Sequence, residues 1–401
     1  RASRFRYLER LLTVHCIGLF MTDKSTTPVI LKGGARTPIG RFLGGLSPLS
    51  APELGALAVR AAVGRAGIEV TDLDEIIMGN VMSAGAGQAP ARQAAVNGGV
   101  PATVPALTIN KVCGSGLKAV MLAAQAVRAG DARLVLAGGM ESMSNVPFYA
   151  RGLRDGVKLG NQTLEDGLIH DGLWCSFGDC HMGGYAEYTA DKAGVTRSDA
   201  DEFSLHSHQK AVEATREGRF RNEIVPVEVE GRRGVTVVDT DEGPRADRSL
   251  EALAKLRPVF KRDAPEGIDE HVVTAGNAPG LNDGAAAVVV ASLEYAEAHG
   301  LEVDAFISAY AVSATEPQDL FFAPIAAVNN LMQKEGKEIG DYELVAVTAA
   351  FAVHAIADTR ALVVPAQLGP AHGAAAALRH PIVASCLPRL SSPVAAPHHC
   401  V

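Results

Sequence analysis

Two unbroken apolar runs, "ARLVLAGG" (132–139) and "DGAAAVVVAS" (283–292), constrain the fold of this chain more than any other feature. Neither alternates polar with apolar residues, so each reads as a strand buried on both faces. Ahead of the first lie "PVILKG", a strand, "SAPELGALAVRAAVGRAG", a helix with a serine or proline start, and "DEIIMGNVM", a further strand. Such alternation predicts an α/β fold with a mostly parallel sheet and right-handed crossovers. The 47% apolar content and 41 glycines suit large cores joined by tight turns.

Residues 145–275 differ in kind. They hold the only tryptophan, an amphipathic helix around "DADEFSLHSHQKAVEATREG" and short polar strands such as "IVPVEVE", and they read as an insertion that covers something. A faint repeat links the flanks: "GIEVTDLDEIIM" (67–78) matches "GKEIGDYELVAV" (336–347), each after a helix, and "AFISAYAVS" stands where "PVILKGGA" stands earlier. The expected organisation is therefore two related α/β halves, 21–144 plus 276–295 and an incomplete-looking 296–401, with the cover at 145–275. Residues 1–20 carry four arginines against one glutamate. A transit peptide fits that composition, but the preferred reading is a non-native extension ahead of Met21, because a strand begins so soon afterwards.

A net charge of −8 argues against a general nucleic-acid or anionic-membrane surface, though not against an anionic small ligand held by local basic groups. The six cysteines are sparse and unevenly spaced, which reads as a reducing, cytoplasmic setting rather than a disulfide framework. The apolar run "LLTVHCIGLFM" is far shorter than the roughly 20 residues a spanning helix needs.

Cys113 stands in "INKVCGSGLKAVMLAAQAVRAG" (109–130), where an apolar strand gives way to a glycine-flanked turn and then to a helix. Packing is the commoner use of such a thiol. Here the Gly-Ser-Gly that follows permits a sharp turn and close ligand approach, and a helix N-terminus favours the thiolate, so packing and a nucleophilic role stand level.

"NKVCGSGLKAVMLAAQAVRAG…LVLAGGMESMSNVPF", "ARTPIGRFLGGLSPLSAPELGALA", "GNVMSAGAGQAPARQAA", "HMGGYAEYTADKAGVTR" and "TAGNAPGLNDGAAAVVV" together closely resemble the thiolase family, which includes acetyl-CoA acetyltransferases and 3-ketoacyl-CoA thiolases. The resemblance covers about residues 28–345. It implies a duplicated, layered αβαβα fold with a loop domain over the active site. It also implies acyl transfer between coenzyme A thioesters, with acetyl-CoA, acetoacetyl-CoA and CoA as ligands, in a homodimer or homotetramer. No metal or redox cofactor is implied. The motif wording is nearer the short-chain, acetoacetyl-CoA type than the long-chain degradative type. By the same resemblance Cys113 is the acyl-accepting nucleophile, and His181 and Met182 line the acyl and pantetheine pocket. Arg245 falls near the CoA nucleotide, Ala275 offers a backbone contact to pantetheine, Phe351 is the phenylalanine of an Asn-Glu-Ala-Phe motif, and His380 donates to the thioester oxygen.

Other readings of these stretches are weaker. "HDGLWCSFGDCH" offers His170, Cys175, Cys180 and His181, but its Cys-x₄-Cys spacing is loose for zinc and the segment already matches the family's loop. The glycine-rich stretches fit neither a P-loop nor a dinucleotide fingerprint, and "HSHQKAVEATREGRFR" reads as a solvated helix with a basic end.

The second half departs from the family. Thr348 and Ala349 stand where the motif has asparagine and glutamate, and Pro279 replaces a serine. Ala374, Arg379, Val383 and Cys386 replace glycines. The family's second cysteine, the acid/base, sits in Cys-x-Gly-Gly-Gly, and neither Cys386 nor Cys400 is followed by those glycines. The proline-rich tail suggests a shifted reading frame or a decaying gene. The expectations are thus a working enzyme with an unusual C-terminal sequence, or a silent relative that binds CoA or a partner.

Overall fold

The computed structural model describes residues 23–232 and 234–365. Its centre is one mixed sheet. Strands β1 (Pro28–Leu31), β2 (Ala35–Arg36) and β3 (Gly40–Arg41) lead into helix α1 (Ala51–Ala66). Strand β4 (Glu75–Gly79), helix α2 (Pro90–Asn97), strand β5 (Ala106–Ile109), helix α3 (Ser115–Ala129) and strand β6 (Leu134–Ser142) follow. The excursion between β6 and β13 contributes the hairpins β7 (Phe148–Tyr149) with β8 (Glu165–Asp166), β9 (Trp174–Cys175) with β10 (Cys180–His181), and β11 (Val227–Gly231) with β12 (Gly234–Val238). Between them run helices α4 (Met182–Lys192) and α5 (Arg197–Arg216), and α6 (Leu250–Ala254) comes after. Strand β13 (Asn282–Ser292), helix α7 (Leu293–Ala298), strand β14 (Val303–Phe306) and helices α8 (Ala323–Glu335) and α9 (Ala352–Ala361) complete the described chain.

The two runs supply β6 and β13, both buried along their full length with only Arg133 ahead of β6 exposed, side by side in a sheet of order β14-β1-β13-β6-β4-β5. The side chains alternate cleanly between its two faces. Leu134, Leu136, Ile76, Met78, Ala287 and Val289 meet α1 and α2 on one side. Val135, Ala137, Ile77, Val288 and Val290 meet Ala119, Ala123 and Val127 of α3 on the other. The expectation of a mostly parallel sheet is corrected. Only β4 pairs in parallel, with β5 and β6, whereas β13 returns from the excursion and inserts antiparallel between β1 and β6. β14 also runs antiparallel, on the far side of β1.

The helix end and turn of the repeat recur in the backbone, but its strand does not: residues 75–79 form β4, whereas 343–347 form no strand. α1 ends at Gly67 (φ 68°, ψ 28°) and α8 at Gly336 (φ 66°, ψ 33°), both left-handed, and a 3₁₀ turn follows each, at Val70–Asp72 and Ile339–Asp341. Glycine adopts that conformation without a Cβ clash, so both helices stop at the same point of the repeat. Among the described residues no strand follows β14. No described helix is long and apolar enough to cross a membrane.

Candidate active site

The turn between β5 and α3 is cinched by one hydroxyl. Ser115 Oγ accepts the Lys111 N–H at 2.7 Å and donates to the Val112 carbonyl at 2.6 Å, and Ser115 is fully buried. The Gly114 and Ser115 N–H groups donate to the Lys111 and Val112 carbonyls, and the Val112 N–H donates to Asn110 Oδ1. Closing the turn this tightly puts Val112 at φ 46°, where a β-branched residue is strained. Cys113 follows, half-buried, one residue before the Gly114 cap of α3. The turn therefore presents a thiol at the positive end of a 15-residue helix.

Cys113 packs against Val81, Met82, Met143 and Leu168. The first two belong to the loop after β4, and a fully buried carboxylate fixes that loop. Glu141 Oε1 accepts from Asn80 Nδ2 at 2.7 Å and from the Met82 N–H at 3.2 Å, and Oε2 accepts the Val81 N–H at 3.1 Å. Burial pushes this carboxyl up to about 8, against the pull of the two backbone N–H groups. Between the ordinary 4.5 and about 8 the folded chain holds a proton that the unfolded chain releases, so stability falls as pH rises through that window. Melting of Glu141→Gln and of the parent chain, compared at pH 5.5 and pH 8, is expected to show a smaller fall in the variant. An equal fall would mean that Glu141 is already ionised in the folded state.

A cavity of about 600 Å³ lies beside this turn, lined by Val81, Ser83, Ala84, Asn110, His170, Asp171, Trp174 and Ser176. Cys113 is not on its wall, although Val81 belongs to both. His170 Nδ1 lies 2.8 Å from Glu165 Oε1, and its Nε2 lies 2.6 Å from Arg151. Among the described residues no three His, Cys, Asp or Glu side chains gather as a metal site.

Three of the other sequence-predicted residues, His181, Met182 and Phe351, form a second cluster. His181 Nδ1 accepts the Gly183 N–H at 3.0 Å, and its ring stacks on Phe260 at 4.7 Å. Burial holds this imidazole below its ordinary range, against the Asp263 carboxylate. Phe260 in turn meets Phe351 edge-on at 6.2 Å, and Met182 packs in the same cluster. Ala275 is exposed on a loop pinned from beneath: the Gly276 carbonyl accepts from Ser204 Oγ and Arg248 Nη1, and Asn277 Nδ2 donates to Asp201. Arg245 is exposed, with its backbone N–H donating to His208 Nδ1 at 3.2 Å. The chain thus brings His181, Met182 and Phe351 together and holds Cys113 in the neighbouring cluster, with Leu168–Cys175 running between the two. Thr348 is half-buried, and Ala349 is buried beside Phe203. His380, Cys386 and Cys400 lie outside the described residues.

Sequence reasoning missed Ser115, Glu141 and Phe260. Ser115 stands between the two glycines of the Cys113 turn, and its hydroxyl closes the turn that they permit. "MES" and "VFKR" carry no local signal for a buried carboxylate or a stacking ring.

Residues 29–294 match the family model described as thiolase, N-terminal domain, and residues 301–394 match the thiolase, C-terminal domain. The chain is 46% identical over 358 residues to the acetyl-CoA acetyltransferase of Pseudomonas aeruginosa, covering 89% of each chain. It is 45% identical over 358 residues to that of Chromobacterium violaceum, covering 89% of this chain and 90% of the relative. To the Paracoccus denitrificans acetyl-CoA acetyltransferase it is 45% identical over 359 residues, 90% of each.

Proposed function

The chain belongs to the thiolase family, and from that premise we propose that it is an acetyl-CoA C-acetyltransferase, condensing two acetyl-CoA to acetoacetyl-CoA and CoA or running in reverse. The observation that carries the reading is Cys113, set by the Ser115 clamp at the N-terminal end of α3 in a chain whose relatives bear that name. Cys113 thiolate attacks the thioester carbonyl, CoA leaves, and an acetyl-cysteine forms. A base then removes a proton from the methyl of a second acetyl-CoA, and the resulting carbanion displaces the cysteine. His181, Met182 and Phe351 form the wall of the acyl and pantetheine channel, Ala275 and Arg245 meet pantetheine and nucleotide, and His380 donates to the thioester oxygen. Nucleophile and donors are side chains, so the reaction needs no cofactor beyond its thioester substrates.

The protein works in the cytoplasm, in fatty-acid and related lipid metabolism, as a homo-oligomer. Strand β5 supports the last point, since it forms an edge of the sheet and leaves Leu107 exposed.

A second reading, acylation without condensation, is favoured by Thr348 and Ala349 at the positions where the family motif carries asparagine and glutamate. Thiolysis of acetoacetyl-CoA by the full chain, with mass analysis of the Cys113 peptide, separates the two. Turnover with acetyl-Cys113 supports the enzyme. Acetyl-Cys113 without turnover places the break at the proton-transfer step. Neither, in folded protein, overturns both.

A further inference from the structure

The hairpin that carries His181 holds a pair of thiols that the acyl-transfer reading does not use. Cys175 on β9 and Cys180 on β10 are direct cross-strand partners. Antiparallel partners stand about 4.5–5.5 Å apart at Cα, inside the span of about 4.4–6.8 Å that a disulfide accepts. The hydroxyl of Tyr185, from the first turns of α4, reaches both sulfurs. It lies tight beneath the hairpin turn: a Cβ on Gly178 would meet the Tyr185 hydroxyl at 2.0 Å, so only glycine fits there. Cys175 is buried and Cys180 half-buried, beside a turn whose Phe177 is 83% exposed.

From this geometry we propose that Cys175 and Cys180 form a reversible dithiol–disulfide switch, oxidised by a peroxide, in the hairpin one residue from His181.

The two thiols are chemically unequal. Burial raises Cys175, but the Gly178 N–H, the Tyr185 hydroxyl and the Phe177 N–H together bring it below the ordinary thiol range. Burial also raises Cys180, and neighbouring Cys175, Asp263 and Asp179 add to that against the Tyr185 hydroxyl. Cys175 is therefore the attacking thiolate and Cys180 the resolving thiol. The Cys175 sulfur takes one oxygen of hydrogen peroxide, the O–O bond breaks, and a sulfenic acid and hydroxide result. The Cys180 sulfur then attacks the sulfenic sulfur, the S–O bond breaks, and water leaves with the Cys180 proton. The hydroxide takes up the proton that Cys175 gave up. In sum, two thiols and one peroxide become one disulfide and two waters. The loop that the bond closes is short, so it constrains the unfolded chain little and stays open to reduction by dithiols.

The test treats the full chain with hydrogen peroxide, quenches with an alkylating agent, and maps peptides without reduction. A link between Cys175 and Cys180, lighter by two hydrogens than the dithiol and reopened by dithiothreitol, is the expected result. Cys175→Ser and Cys180→Ser must each lose that link while their circular dichroism melts stay close to the parent's. Tyr185→Phe should still form the link, but several-fold more slowly, because the hydroxyl that favours the Cys175 thiolate is gone. Both thiols alkylated at peroxide doses that already oxidise Cys113 would overturn the proposal, as would a link from either cysteine to any other. The readout is the thiols themselves, so it stands or falls independently of turnover.

Discussion

Replacing Cys113 by alanine is expected to cut thiolysis of acetoacetyl-CoA at least about a thousandfold, or about 4 kcal/mol in the barrier, and to leave no acetylated peptide. Losses of that size are usual when the attacking atom itself is removed, because no neighbouring group takes over its covalent role. The fold should survive. Cys113 is half-buried in a small apolar cluster, and Ser115 and Asn110 close the turn around it. Removing one sulfur from such a site costs about 1 kcal/mol, a shift that circular dichroism melts can follow. Cys113→Ser makes the argument sharper. A hydroxyl is a far weaker acid and nucleophile than a thiol, so the same geometry should give little more turnover than alanine. Activity of the alanine variant within tenfold of the parent would place the nucleophile elsewhere and remove the basis of the proposed reaction.

What the sequence revealed and what it concealed divide along physical lines. Strands β6 and β13, helices α1 and α3 and the excursion between them were legible because burial on both faces leaves an unbroken apolar run, and helix ends leave glycine and serine marks. Strand direction was not legible. Whether β13 returns parallel or antiparallel depends on where residues 145–281 re-enter the sheet, which no local pattern encodes. The site divides likewise. Cys113 announces itself by its glycines, and His181, Met182 and Phe351 by family motifs. Phe260, which joins His181 to Phe351, lies 79 positions from one and 91 from the other. The pairing of Cys175 with Cys180 was hidden for another reason. Their spacing was weighed against zinc ligation, whereas the fold uses the four intervening residues as a hairpin turn.

A further residue hidden in the sequence is Arg36, read there only as part of "ARTPIG", and its loss should be strongly destabilising. Its guanidinium is 1% exposed, donating from Nε to Glu223 at 2.7 Å and from Nη1 and Nη2 to both oxygens of Asp241 at 2.6 and 3.0 Å. Burial works against the charge, but Asp241 and Glu223 more than offset it and raise the arginine's pKa. Both carboxylates belong to the excursion between β6 and β13, while Arg36 lies in β2 against β13, so the triad fastens the excursion to the sheet. Backbone bonds run alongside, from the Arg36 N–H to the Glu223 carbonyl and from the Val225 N–H to the Arg36 carbonyl. Arg36→Met would leave two buried carboxylates without their guanidinium, at a cost of roughly 3–5 kcal/mol. The expected melting temperature falls by on the order of 10 °C. Arg36→Lys keeps the charge but loses the fork that matches Asp241, so it should fall between the two. Adding Glu223→Gln and Asp241→Asn to Arg36→Met removes the buried charges and should recover part of the loss. If Arg36→Met melts within about 2 °C of the parent, the triad contributes almost nothing. In that case the backbone bonds of β2, the Arg65 bonds to the carbonyls of Asn222, Glu223 and Ile224, and the Glu242 bonds to the Arg41 and Gly45 N–H groups hold the excursion in place.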